Sequence, residues 1–179
     1  MGSSVTKHGD FVLEILNYKN GGTYLEVGSG HFKDENNTYL LEKEYGWAGV
    51  GIELDSGLSD LYNDNRTNKC INDNALTVDY KKVLKDNFDS NRIDYLQIDV
   101  DNDPKYSNLL ALINVPLSEY RFNVITFEHD LVRSYKFKEM REAQRVILDS
   151  LGYVLVVPGN SEDWWVDGTN IDSEKYQWA

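Results

Sequence analysis

The sequence predicts a single α/β domain whose mostly parallel sheet is covered by helices on both faces. Strand-like apolar bursts alternate with helix-like stretches along the whole chain, which is the pattern of repeated strand–helix–strand units. The bursts are nearly continuous in Val, Ile, Leu and aromatic residues, as expected of strands buried on both faces. At 179 residues, 41% of them hydrophobic, the chain can build one sizeable core but not two comfortable ones.

Taken in order, residues 8–20 place Phe11, Val12, Ile15 and Leu16 at helical spacing, and Asn20-Gly21-Gly22 stops that helix. Residues 23–27 (TYLEV) form the first strand and run into a glycine-bearing loop. A helix over 37–46 ends at Gly46, and 49–54 (GVGIEL) is the second strand. A short helix across Leu58–Tyr62 leads to a third strand at 69–71, and 79–88 is an amphipathic helix. The fourth strand is 93–98 (IDYLQI), followed by a helix over 107–114 and a fifth strand at 122–127 (FNVITF). A long helix covers 135–151, Gly152 opens a sixth strand (YVLVV), and 163–167 (DWWVD) is the seventh, with at least one of Trp164 and Trp165 buried. With no linker or repeat, residues 1–20 read as a leading helix and 21–179 as one ligand-binding domain.

Composition narrows the function. The formal net charge of −12, from 18 Lys+Arg against 30 Asp+Glu, disfavours a nucleic-acid partner, because a phosphate backbone needs clustered cations. One cysteine, Cys70, excludes an internal disulfide and a cysteine-rich zinc site. No apolar run approaches the roughly 20 residues of a membrane-spanning helix, and no secretory leader precedes the first helix, so a cytoplasmic protein without a membrane partner is expected.

The informative residues lie at the strand ends, where a parallel sheet holds its ligands. The first strand ends Glu26-Val27-Gly28-Ser29-Gly30-His31. Two glycines one residue apart let the backbone turn sharply and approach a ligand. Lys33 stands where a dinucleotide fingerprint needs its third glycine, which argues against a nicotinamide cofactor. A loop of this kind after an acidic residue suits S-adenosylmethionine instead, with Glu26 toward the ammonium group. The second strand ends in Glu53, placed to accept both ribose hydroxyls, and the third leads into Asp73-Asn74, placed to meet the adenine amino group. Each feature alone is also what a turn glycine or a solvated carboxylate looks like. Their joint order points to the cofactor.

The same stretches resemble a family. Residues 24–55 (YLEVGSGHFKDENNTYLLEKEYGWAGVGIELD), 93–101 (IDYLQIDVD), 124–130 (VITFEHD) and the LGYVLVV…EDWWVD segment of 151–167 are similar to FkbM-type S-adenosylmethionine-dependent methyltransferases. The resemblance implies a Rossmann-like class I methyltransferase fold, seven-stranded with an antiparallel last strand, and methyl transfer to a hydroxyl oxygen of a sugar or related metabolite. It implies cofactor contacts from Glu26, Gly28, Ser29, Gly30, Asn37, Glu53, Asp73, Asn74 and Asp99. Where the family commonly has Ile-Asp-Val-Glu-Gly, this chain has Ile98-Asp99-Val100-Asp101-Asn102, a departure on the acceptor side of the pocket.

Methyl transfer to a hydroxyl needs positioning and a base. His129 is the natural candidate for the base, and Asp101 for orienting the acceptor. His31 in the glycine loop could touch the acceptor or be solvated. The acids Asp99, Asp101, Asp103, Glu128 and Asp130 also suggest a bound Mg²⁺. Rival readings are a metal-dependent nucleotide-sugar glycosyltransferase using Asp99-Val100-Asp101, and a non-catalytic Rossmann-like binding module. Acceptor specificity is expected from the first helix, the strand-end loops or a second copy of the chain in a homo-oligomer.

Overall fold

A computed structural model describes residues 4–101 and 104–171. Helices α1 (Ser4–Ile15), α2 (Tyr39–Tyr45), α3 (Ser56–Asn65), α4 (Tyr80–Asn87), α5 (Ser107–Asn114) and α6 (Lys138–Ser150) alternate with strands β1 (Thr23–Val27), β2 (Ala48–Glu53), β3 (Lys69–Asn72), β4 (Arg92–Ile98), β5 (Arg121–Glu128), β6 (Tyr153–Pro158) and β7 (Glu162–Asp167). The strands form one sheet in the order β3-β2-β1-β4-β5-β7-β6. All pairings from β3 to β5 are parallel, whereas β7 runs antiparallel to both β5 and β6.

Strand alternation sends successive side chains into two cores. Leu25, Val27, Leu96, Ile98, Ile125 and Trp165 point to one face, where they meet Val83, Leu84, Leu112, Met140 and Leu148 from α4, α5 and α6. Tyr24, Tyr95, Val124, Trp164 and Val166 point to the other, against Phe11, Val12 and Ile15 of α1 and Leu41 of α2. Both tryptophans of β7 are therefore buried, one on each side.

Local signals set most boundaries. Asp55 caps α3 by accepting from the Leu58 N–H at 2.9 Å, and Asp79 caps α4 by accepting from the Lys82 N–H at 3.0 Å. Gly46 ends α2 at φ 65°. Two expected helices are shorter than their patterns. The first stops at Ile15 because Asn17 and Tyr18 turn left-handed, at φ 52° and 54°, which lets Lys19 reach the buried Asp94 at 2.8 Å. The last begins as a 3₁₀ turn over Tyr135–Phe137 before α6. Among the described residues no helix is long and apolar enough to cross a membrane.

Candidate functional site

The strand order reverses between β1 and β4, so their carboxyl ends open a crevice at the switch point. Gly28 sits there at φ 84°, its N–H donating to the Ile52 carbonyl at 2.9 Å. A Cβ on Gly28 would lie 1.8 Å from the Asp99 carbonyl oxygen, so only glycine lets the ends of β1 and β4 pass this closely. Gly30 also has positive φ, at 57°, but faces open space: nothing lies within 4 Å of where its Cβ would be. The first glycine is required by the neighbouring strand, and the second leaves room for a ligand.

That room is a cavity of about 500 Å³, within the range of small-molecule sites. Its wall includes Glu26, Gly28, Ser29, Gly30, Asn37, Glu53, Asn74, Asp99 and Asp101, all singled out from the sequence. It contains six carboxylates, the others being Asp34 and Glu35, and, among the described residues, neither lysine nor arginine. Ile52, Leu54, Leu58, Ala75, Leu76, Val100, Pro104 and Ser107 also line it and carried no chemical signal in the sequence. Asp73 is exposed and outside this wall, its carboxylate accepting from the Asn74 N–H at 2.7 Å.

The carboxylates on the β1–β3 side are held by the backbone and by a buried network. Glu53 accepts from the Gly30 N–H at 2.8 Å through one oxygen and from the Asp55 N–H at 2.9 Å through the other. This ties the glycine loop to the end of β2 and leaves lone pairs on both oxygens. Glu26 is buried and accepts from Asn36 Nδ2 at 3.1 Å and from the Thr38 hydroxyl at 3.0 Å. Burial raises its pKa to about 7, against the opposing pull of Arg66. Arg66, itself buried, donates to Glu42, Asn36, the Tyr24 and Thr38 hydroxyls and the Phe32 carbonyl, locking the loop that follows Gly30.

The acceptor side differs from expectation. His129 is fully buried and does not line the cavity. Its Nδ1 accepts from the Leu131 N–H at 3.2 Å, so in the neutral ring the proton sits on Nε2, 3.6 Å from an Asp163 oxygen. Asp163 in turn accepts from Arg145 at 2.7 Å through each oxygen and from Gln144 at 2.5 Å. His129 thus lies beneath β7, beside Asp163, and the structure does not bring it onto the cavity wall with the other expected site residues. His31 does line the cavity, but its Nδ1 accepts from the Asp34 N–H at 3.0 Å, which again leaves Nε2 as a donor. Asp101 lies exposed at the mouth. Burial and the adjacent Asp99 carboxyl push the Glu128 pKa up. Among the described residues no three His, Cys, Asp or Glu side chains converge as metal ligands, so the expected Mg²⁺ and the D-x-D metal find no such set here. Asp103 lies outside the described residues.

No protein-family model matches the chain, and no curated protein matches it in sequence. Solved structures do match in fold. An O-methyltransferase from Bacillus cereus in complex with S-adenosylhomocysteine superposes with a TM-score of 0.58 at 16% identity, over 89% of this chain and 79% of that one. A TehB-like S-adenosylmethionine-dependent methyltransferase from Corynebacterium glutamicum gives 0.54 at 14% identity, over 89% and 87%. A candidate rRNA-methylase from Clostridium thermocellum gives 0.60 at 12% identity, over 92% and 94%. With its seven-stranded mixed sheet, reversed at the glycine loop and carrying an antiparallel β7 between β5 and β6, the chain has the Rossmann-like class I methyltransferase fold.

Proposed function

We propose that the chain is an S-adenosylmethionine-dependent methyltransferase acting on a hydroxyl oxygen of a sugar or small metabolite, in the manner of the FkbM-type enzymes it resembles. The observation that carries this reading is the cavity at the switch point, whose wall holds six carboxylates and, among the described residues, no lysine or arginine. Such a wall favours a cofactor bearing sulfonium and ammonium charges. It disfavours a nucleic-acid acceptor, although one structure of similar fold is described as an rRNA-methylase.

The residues present fit the cofactor. Glu53, fixed by two backbone N–H groups, has free lone pairs for ribose hydroxyls, and the open space beside Gly30 accommodates a ligand against the backbone. Glu26 meets the ammonium group, and Leu54, Leu58 and Leu76 offer apolar walls for the adenine. S-adenosylmethionine supplies a methyl group on a positively charged sulfur, displaced in line without a covalent enzyme intermediate. The chain's part is to hold the acceptor oxygen behind that methyl. Asp101, at the mouth, accepts the hydroxyl's hydrogen bond and directs its lone pair inward, and the proton passes to this carboxylate or to water.

Calorimetric titration with S-adenosylhomocysteine, a UDP-sugar and NAD tests the reading. S-adenosylhomocysteine alone is expected to bind, and Glu53→Ala to weaken it by about 10- to 100-fold, the worth of hydrogen bonds to a charged group. No binding of S-adenosylhomocysteine would overturn the proposal.

A further inference from the structure

His8 of α1 is the third histidine of the chain and differs from the other two. It is buried, stacks edge-on against Trp164 with ring centroids 5.1 Å apart, and turns both nitrogens toward oxygens. Nδ1 lies 2.5 Å from the Asn37 side-chain carbonyl, and Nε2 is hydrogen-bonded to the Glu162 carboxylate at the start of β7. A neutral imidazole has one N–H and cannot donate to two acceptors; an imidazolium can. Asn37 lines the cavity, and no acceptor among the described residues takes a hydrogen bond from its Nδ2.

We propose that His8 is a positioning residue of the cofactor site: its imidazolium, anchored by Glu162, holds the Asn37 carbonyl so that the Asn37 amide N–H₂ and the positive charge behind it receive the carboxylate of the cofactor's amino-acid tail. This rests on the cofactor reading above and adds what that reading lacks, since among the described residues the cavity wall has no lysine or arginine to balance that carboxylate. Burial alone would lower the His8 pKa, but the Glu162 carboxylate, the Asn37 carbonyl and the charge of Asp99 at the end of β4 together raise it. Two further groups titrate nearby: Glu128, opposite Glu162 in the β5–β7 register and pushed up by burial and by Asp99, and Glu26, near 7, which acts on the ammonium end with the opposite sign, its loss of a proton strengthening binding.

The test compares S-adenosylhomocysteine with 5′-methylthioadenosine, which lacks the amino-acid tail, between pH 6 and 8.5. The His8 contribution is the difference between the wild-type chain and His8→Gln. At pH 6 the substitution is expected to weaken S-adenosylhomocysteine roughly tenfold while leaving 5′-methylthioadenosine unchanged, and that tenfold gap is expected to narrow as the pH rises. Equal loss for both ligands, or a gap independent of pH, overturns the proposal. Imidazole ¹⁵N spectra of the wild-type chain give a second readout that needs no variant: both His8 nitrogens protonated at neutral pH supports it, and a single tautomer overturns it. If neither nucleoside binds at any pH, the cofactor reading itself fails, and the ring-nitrogen spectra still decide the state of His8.

Discussion

The two halves of the sheet's carboxyl edge handle their polar side chains in opposite ways. At the ends of β1 and β2, Glu26 and Glu53 are held by backbone N–H groups and by the Arg66 network, with the cavity in front of them. Around β5 and β7, Asp163 accepts from Arg145 and Gln144 beneath the surface, with His129 packed beside it, and the cavity is left to Asp99 and Asp101. One half faces the cavity, the other the core. A constellation made by backbone turns faces where the chain topology sends it, whereas long side chains on strands can spend their hydrogen bonds inward.

The largest expected effect lies behind the first half. Arg66→Ala would leave Glu26 buried without its cation and Glu42 with only the half-exposed Lys43, a loss of about 3–5 kcal/mol in urea unfolding. A loss under about 1 kcal/mol would show that the network does not hold the loop. Next comes the contrast between the two glycines. Gly28→Ala combines a clash with the Asp99 carbonyl and left-handed strain, about 3 kcal/mol together, whereas Gly30→Ala meets only the strain, about 1 kcal/mol. Equal costs would contradict the close approach of β1 to β4.

The second half is probed by His129→Gln against Asp101→Asn. The first should reduce stability by about 1–2 kcal/mol with turnover intact, because it disturbs a buried contact away from the cavity. The second should leave stability within about 0.5 kcal/mol and lower turnover. A loss of turnover in His129→Gln at unchanged S-adenosylhomocysteine affinity would restore it as the base. The smallest effect is in pH. Glu26 binds its proton more tightly folded than unfolded, so between its ordinary carboxyl range and about 7 the native state holds more protons and stability falls as the pH rises. Glu26→Gln should flatten that slope in unfolding midpoints measured from pH 4.5 to 7.5.

Much of this architecture was legible in the sequence. The order of elements, the glycine loop, and the acids closing β1 and β2 follow from period-two and period-3.6 patterning and from residues that alone tolerate the required turns. Eight of the nine expected cofactor contacts line the cavity, because they belong to loops whose direction the parallel topology dictates. Asp73 is displaced from it by a single turn residue, a resolution that pattern reading lacks.

What the sequence determined by itself was the fold and the backbone of the site, since both are consequences of local conformation and of which strand ends must adjoin. Only the tertiary structure decided which titratable groups are usable. Residue 129 is remote in sequence from Asp163, and residue 8 from Asn37 and Glu162, yet those are the groups each imidazole lies against. Whether a side chain is a base, a donor or a fixed cation depends on its neighbours in space, and those long-range pairings leave no periodic trace along the chain.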